Sequence, residues 1–246
     1  YWCVGFIDEF VLQKYVPPED VAAMLFEPIQ GEGGYVVPPP EYFQRLKKLA
    51  DKYDLLIIDD EVQSGIGRAG KWFAIEHWNV EPDIICSAKA LASGLPIGAT
   101  VAKAKTMDWT GKSHASTFGG NPLSCAAAAV VLEIVKEENL LENANKQGAY
   151  VLKRLGELSE RNEIVGDVRG KGLMIGVELV EDKESKKPAA QKAAQVITRS
   201  WKHGVAIVTC GASTIRIAPP LTIQREMLDT ALGIVEDAIA EVAREV

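Results

Sequence analysis

A lysine set among small side chains is the most chemically suggestive residue of this sequence. Lys89, in CSAKALASG, is flanked by Ser87, Ala88, Ala90, Ala92, Ser93 and Gly94. Small neighbours let another molecule approach an amine closely, and desolvation there lowers a lysine's pKa and favours the neutral form needed for Schiff-base chemistry. Asp60, in DDEVQSG, closes another apolar run. A carboxylate so placed can keep a pyridine ring protonated, so that the ring draws electrons. Glu27 and Glu32 in EPIQGEGG, Gln63 in DDEVQSG and Arg216 in IRIAPP supply further polar groups at expected strand ends or loops. Singly each is weak, because an acid after a strand is often a helix cap and a lysine is usually a surface cation. Lys89 with Asp60 is the pairing pyridoxal phosphate needs, yet many α/β enzymes carry an acid and a lysine on adjacent strands for other reasons.

The elements that must position these groups read as an α/β architecture, with strand-length apolar runs alternating with helical spacing. Val21 to Phe26 is predicted as a strand, and Pro38, Pro39 and Pro40 then break the chain. Phe43, Leu46 and Leu49 recur at helical spacing in a segment ending near Tyr53. Leu55 to Ile58, with acids behind it, is the pattern of a buried parallel strand whose carboxyl end meets a site. Asp83 to Cys86 and Ile97 to Val101 are further strands, and Pro122 to Arg161 is one long helix or a broken pair with Gly148 as its internal weak point. Leu173 to Val180 is predicted as a strand, Glu181 to Lys187 as an exposed loop, and about Pro188 to His203 as a helix. Strands Val205 to Thr209 and Thr214 to Ile217 follow, and Leu221 to Val246 closes with an amphipathic helix. A boundary near Glu160 to Gly166 divides this into a large parallel-sheet domain (1–160) and a small α+β domain (161–246).

Gly65, Gly67 and Gly70 spell GxGxxG, and Gly65 to Lys71 spells GxxxxGK, but neither survives its context. Trp72 stands where a phosphate loop needs Ser or Thr, and six residues, Asp59 to Ser64, separate the preceding apolar run from the first glycine. A turn-forming cluster is the better reading.

Composition narrows the function. The balance of 27 basic against 34 acidic residues, with the basic ones scattered, argues against a nucleic-acid groove. The longest apolar run, Cys125 to Leu132, is far short of the about 18 residues of a membrane span. Cys3, Cys86, Cys125 and Cys210 lack the clustering a zinc site requires, so no metal is expected and the thiols read as reduced and buried. A cytoplasmic location follows from reduced thiols and from the lack of signal-peptide features in Tyr1 to Phe10.

The segments FEPIQGEGG, LLIIDDEVQSGIGRAG, PDIICSAKALASGLPIGA, STFGGNPLSCAAA, VRGKGLMIGVEL and IRIAPPL occur in this order. Together they resemble the class III pyridoxal-phosphate aminotransferases, the fold-type-I group that includes the 4-aminobutyrate, acetylornithine and ornithine aminotransferases. The resemblance implies that Lys89 forms the Schiff base with the cofactor and later shuttles a proton, and that Asp60 pairs with the pyridine nitrogen. It implies that Gln63 bonds the phenolic oxygen, that Val62 packs on the ring, and that Thr117 binds the cofactor phosphate of the partner subunit in a homodimer with shared active sites. Arg216 becomes the clamp for a substrate carboxylate, with Glu32 as the group that masks it when an ω-amine enters.

The resemblance covers only the later part of a family member. The family's other phosphate-binding turn and its stacking aromatic lie upstream of anything resembling Tyr1, so a functional molecule including an N-terminal portion is expected. The activity implied is transfer of an amino group from an amino acid or ω-amine to 2-oxoglutarate. Two alternatives stand beside it: an amino-acid racemase or 2-epimerase on the same scaffold, which returns the proton to the α-carbon, and a non-catalytic fragment that binds no cofactor.

Overall fold

A computed structural model describes residues 2–245; Tyr1 and Val246, the last residue of the expected closing helix, lie outside the described residues. Contacts divide the chain into two units: Tyr1–Pro28, Pro38–Ile66 and Phe73–Ile134 form one, and Ile29–Val37, Gly67–Trp72 and Val135–Val246 the other. The division falls earlier than the expected boundary at Glu160 to Gly166. The physical reason is the helix Leu140–Arg161, whose buried Ala144, Val151, Leu155 and Leu158 belong to the core of the second unit.

The first unit opens with helix α1 (Trp2–Phe6), which widens into a π-type helix over Ile7–Tyr15. Its sheet runs β1 (Ala23–Phe26), β2 (Leu56–Asp60), β3 (Ile84–Ser87), β4 (Ala99–Ala102), in that spatial order. The first three strands are parallel and β4 is antiparallel to β3. Helix α2 (Tyr42–Tyr53) buries Phe43, Leu46, Leu49 and Ala50, one helical face, and ends where Asp54 adopts a left-handed conformation. Alternation along β2 buries Ile57 and Asp59 and leaves Leu56, Ile58 and Asp60 half-buried on the other face. Ile57 packs with Leu49, Ala50 and Leu55.

Helices α3 (Pro122–Glu137) and α4 (Leu140–Arg161) are the expected broken pair, but the break lies at Asn139, which takes a left-handed φ of 52°. Asn tolerates that conformation. Gly148 continues the helix because its missing side chain lets α4 lie against the Gly172 carbonyl oxygen, which a Cβ would strike.

The second unit is an antiparallel sheet, β5 (Val165–Lys171), β6 (Met174–Leu179), β8 (Thr214–Ile217) and β7 (Val208–Cys210) in spatial order. One sheet face carries Ile175, Val177, Ile215 and Ile217 into a core shared with α4, α5 (Ala190–Lys202) and α6 (Arg225–Arg244). The sequence reading missed β5 and the opening helix. It also misjudged the thiols: Cys210 is buried, Cys86 is half-buried, and Cys3 and Cys125 are exposed.

Candidate active site

In the first unit the site residues gather at the carboxyl ends of adjacent parallel strands. Asp60 closes β2 in register with Cys86 of β3, and Lys89 follows two residues after β3 ends. The Asp60 Oδ1 accepts the Val62 N–H at 3.0 Å, which fixes the carboxylate at the head of the turn carrying Val62 and Gln63. Both of those side chains are half-buried. Their turn is tightened by the Gly65 N–H donating to the Glu61 carbonyl at 3.0 Å, and a Cβ at Gly65 would stand 2.8 Å from that oxygen. The glycines that imitate a nucleotide loop are thus turn residues.

Glu61 anchors the turn from beneath. Its buried carboxylate accepts the Ile75 N–H at 2.9 Å and the Ser64 hydroxyl. Asp59, on the same face two residues before, is fully buried, with the Glu61 carboxyl as its neighbour. Burial first, and then the Glu61 charge, push the Asp59 carboxyl up to about 9, so it stands protonated beside its neighbour at neutral pH. Burial raises Glu61 as well, against the hydrogen bonds that favour its charged form.

Lys89 occupies a left-handed φ of 41°, the first residue of a short 3₁₀ turn ending at Leu91. A lysine in that conformation is uncommon and marks a position fixed by its surroundings. Its side chain is exposed in this chain. Those neighbours leave it accessible, and none is large enough to cover it. Thr117 also lies on an exposed stretch, ahead of the Asn121 side chain that accepts the Ser124 N–H at 2.9 Å near the start of α3.

In the second unit, Glu32 and Arg216 meet across 184 residues of sequence. The guanidinium Nη1 and Nη2 donate to the two carboxylate oxygens at 2.7 and 3.2 Å, and Nε donates to the Thr209 carbonyl at 3.0 Å. Arg216 also lies 5.9 Å from the centre of the Tyr35 ring. Partial burial works against the Arg216 charge, and Glu32 more than restores it, leaving the guanidinium above its ordinary value. Glu32 itself is exposed; pairs of this kind contribute only about 0 to 1 kcal/mol, weak enough for an incoming carboxylate to displace. Burial lifts the Tyr35 phenol, so that ring stays neutral.

The donor set suits pyridoxal phosphate: an accessible amine for its aldehyde, an oriented carboxylate for its ring nitrogen, and an amide on the same turn. The sequence reading passed over Glu61, Asp59 and Tyr35 as site residues. Glu61 and Asp59 flank Asp60 in the quoted segment, and period-2 alternation is the signal that puts them together on the buried face.

Comparison with known proteins agrees with this fold. The family model described as aminotransferase class-III matches residues 7–239. A leucine/methionine racemase from Thermococcus litoralis is 49% identical over 95% of this chain and 54% of its own length. An acetylornithine aminotransferase from Caldanaerobacter subterraneus is 41% identical over 93% of this chain and 59% of its own. An amine transaminase from an uncultivated Pseudomonas species, solved in its PLP-bound internal-aldimine form, superposes with a TM-score of 0.91 at 37% identity, covering 98% of this chain and 56% of that one. The chain therefore belongs to the class-III aminotransferases, enzymes of the fold-type-I scaffold that work with pyridoxal phosphate. It spans little more than half the length of the curated relatives it matches.

Proposed function

We propose that this chain carries the lysine and the substrate-carboxylate site of a pyridoxal-phosphate-dependent aminotransferase. Its donor is an amino acid or an ω-amine of the 4-aminobutyrate or acetylornithine kind, and its acceptor is 2-oxoglutarate. The observation that carries the reading is the bidentate Glu32–Arg216 pair. Masked by Glu32, the guanidinium presents little net charge and a terminal amine can lie nearby. Released, it offers a planar fork to a carboxylate. An enzyme that alternates between an ω-amine and a dicarboxylate needs both states.

When bound, pyridoxal phosphate supplies the electron sink that lets a C–H bond beside the amino group ionise. The chain's own residues do the rest. Lys89 Nζ would hold the cofactor and would move the proton taken from the substrate carbon. Asp60 would hold the cofactor's ring nitrogen, Gln63 its phenolic oxygen, and Val62 would line the ring. Thr117 would hold the cofactor phosphate of the partner subunit in a homodimer whose subunits would share their sites. Residues beyond this chain complete the molecule on this reading, as the share of the relatives' length that it spans supports. The free cysteines suit a reducing compartment such as the cytoplasm.

A second reading rests on the 49% identity to a racemase: an amino-acid racemase or 2-epimerase on the same residues. The two readings differ in where the proton would go, away from the substrate carbon or back to that carbon on its opposite face. Supplying 4-aminobutyrate or N-acetylornithine with 2-oxoglutarate should yield glutamate, while L-leucine or L-methionine alone should keep its configuration. D-enantiomer appearing at turnover rate without a keto acid would overturn the aminotransferase. Neither product, with no cofactor retained, would return the chain to the non-catalytic alternative.

A further inference from the structure

The face of the second sheet that carries Arg216 holds a second arginine with no role in the reading above. Arg169 of β5 pairs in register with Gly176 of β6, and Gly176 pairs with Arg216 of β8. The three residues therefore form one row across three strands on one face, two arginines with a glycine between them. Above that glycine lies the backbone of the Glu32 loop. A Cβ at Gly176 would stand 2.9 Å from Thr214 Cγ2, 3.1 Å from Tyr35 Cβ and 3.5 Å from the Gly34 carbonyl oxygen.

Arg169 fastens that loop. Its Nε and Nη2 both donate to the Gly34 carbonyl, at 3.1 and 2.6 Å, and Nη2 also reaches Thr214 Oγ1 at 3.1 Å. Nη1 is held from behind by Asp167 at 2.7 Å and Glu178 at 2.6 Å. Those partners immobilise the side chain, so its grip on Gly34 is not that of a loose surface cation. On the other side, the Gly211 N–H donates to the Glu32 carbonyl at 2.7 Å. The loop is thus pinned at residues 32 and 34, with Glu32 held where its carboxylate meets Arg216.

We propose that Arg169 is a positioning residue for the Glu32–Arg216 gate: seated beside Gly176, it fixes the Gly31–Tyr35 loop and so sets how readily the site admits a dicarboxylate. The proposal rests on the reading of Arg216 as the carboxylate site. Loosening the loop lowers the effective concentration of Glu32 at Arg216 and leaves the guanidinium more available. The test is calorimetric titration of the cofactor-loaded enzyme with glutarate, a dicarboxylate with no amino group to react. Arg169→Met should tighten glutarate by about two- to fivefold, the range an exposed ion pair spans. Gly34→Ala attacks the same contact from the loop, because its Cβ would stand 3.3 Å from Arg169 Nη2 at a φ of 121°. It should act in the same direction, which guards against a misfolded Arg169 variant. In a Glu32→Ala background neither change should have any further effect, and Arg169→Lys should restore part of the original affinity. An equal effect with Glu32 already absent, or none where Glu32→Ala itself tightens glutarate, would overturn the positioning role. Glutarate binding that survives Arg216→Ala would instead overturn the carboxylate reading beneath it.

Discussion

The two sheets present their polar residues in opposite ways. At the end of the parallel strands, Asp60 is half-buried and Lys89 exposed, both on or beside turns. On the antiparallel sheet, Arg169, Gly176 and Arg216 project from the strands themselves, and the Glu32 loop is already fastened over them. The contrast follows from strand geometry. A parallel sheet is covered on its faces and offers chemistry at its carboxyl ends, where loops carry the residues. An antiparallel sheet can bury one face and leave the other free for a polar row. The first set of groups is held by backbone hydrogen bonds within its own turn, and the second by side-chain hydrogen bonds between the strands and a loop.

Substitutions can break or sharpen that contrast. Lys89→Ala should reduce turnover by at least about 10² to 10⁴-fold while leaving melting temperature unchanged, since an exposed side chain contributes little to the fold. Single-turnover kinetics and calorimetry check both halves. Arg216→Ala should raise KM for 2-oxoglutarate by about tenfold to a hundredfold, the worth of a charge-assisted bidentate contact, with a smaller effect on the amine half-reaction. Similar losses in both half-reactions would erase the distinction between the two sites.

Stability should separate the units as well. Gly148→Ala would gain helix propensity but drive a methyl group into the Gly172 carbonyl, and a net loss of about 1 to 3 kcal/mol in denaturant unfolding is expected. The most particular effect depends on pH. The Asp59 carboxyl rises from 3.8 to about 9, so the folded chain keeps a proton that the unfolded chain loses. That stability is fully present below about pH 4 and is lost as pH climbs toward 9. Asp59→Asn removes the titration; the variant should match the parent near pH 4 and gain on it steadily as the pH is raised to 8. A constant difference between the two pH values would show that the Asp59 carboxyl is not raised in the folded chain.

Much of this was legible from residue pattern, where one segment decides its own structure. Leu55 to Ile58 with acids behind it places β2 and its carboxyl end, and Phe43, Leu46 and Leu49 mark the buried face of α2. The illegible parts depend on distant neighbours. Val165–Lys171 holds two glycines and three charges and pairs as β5 because β6 lies beside it. The helix breaks at Asn139 and not at Gly148 because the glycine is needed against Gly172. Among the site residues, a motif can flag Lys89 and Asp60, but exposure of the lysine is set by what covers it. The role of Arg169 is set by cross-strand register, which no local pattern contains.

The central claim is that Lys89, backed by Asp60, is where this chain captures its cofactor. The most direct measurement is borohydride reduction of the enzyme loaded with pyridoxal phosphate, followed by peptide-level mass spectrometry. The account predicts a single pyridoxyl-phosphate adduct on the peptide containing Lys89, absent from Lys89→Ala. An adduct on a different lysine, or none after loading, would contradict it.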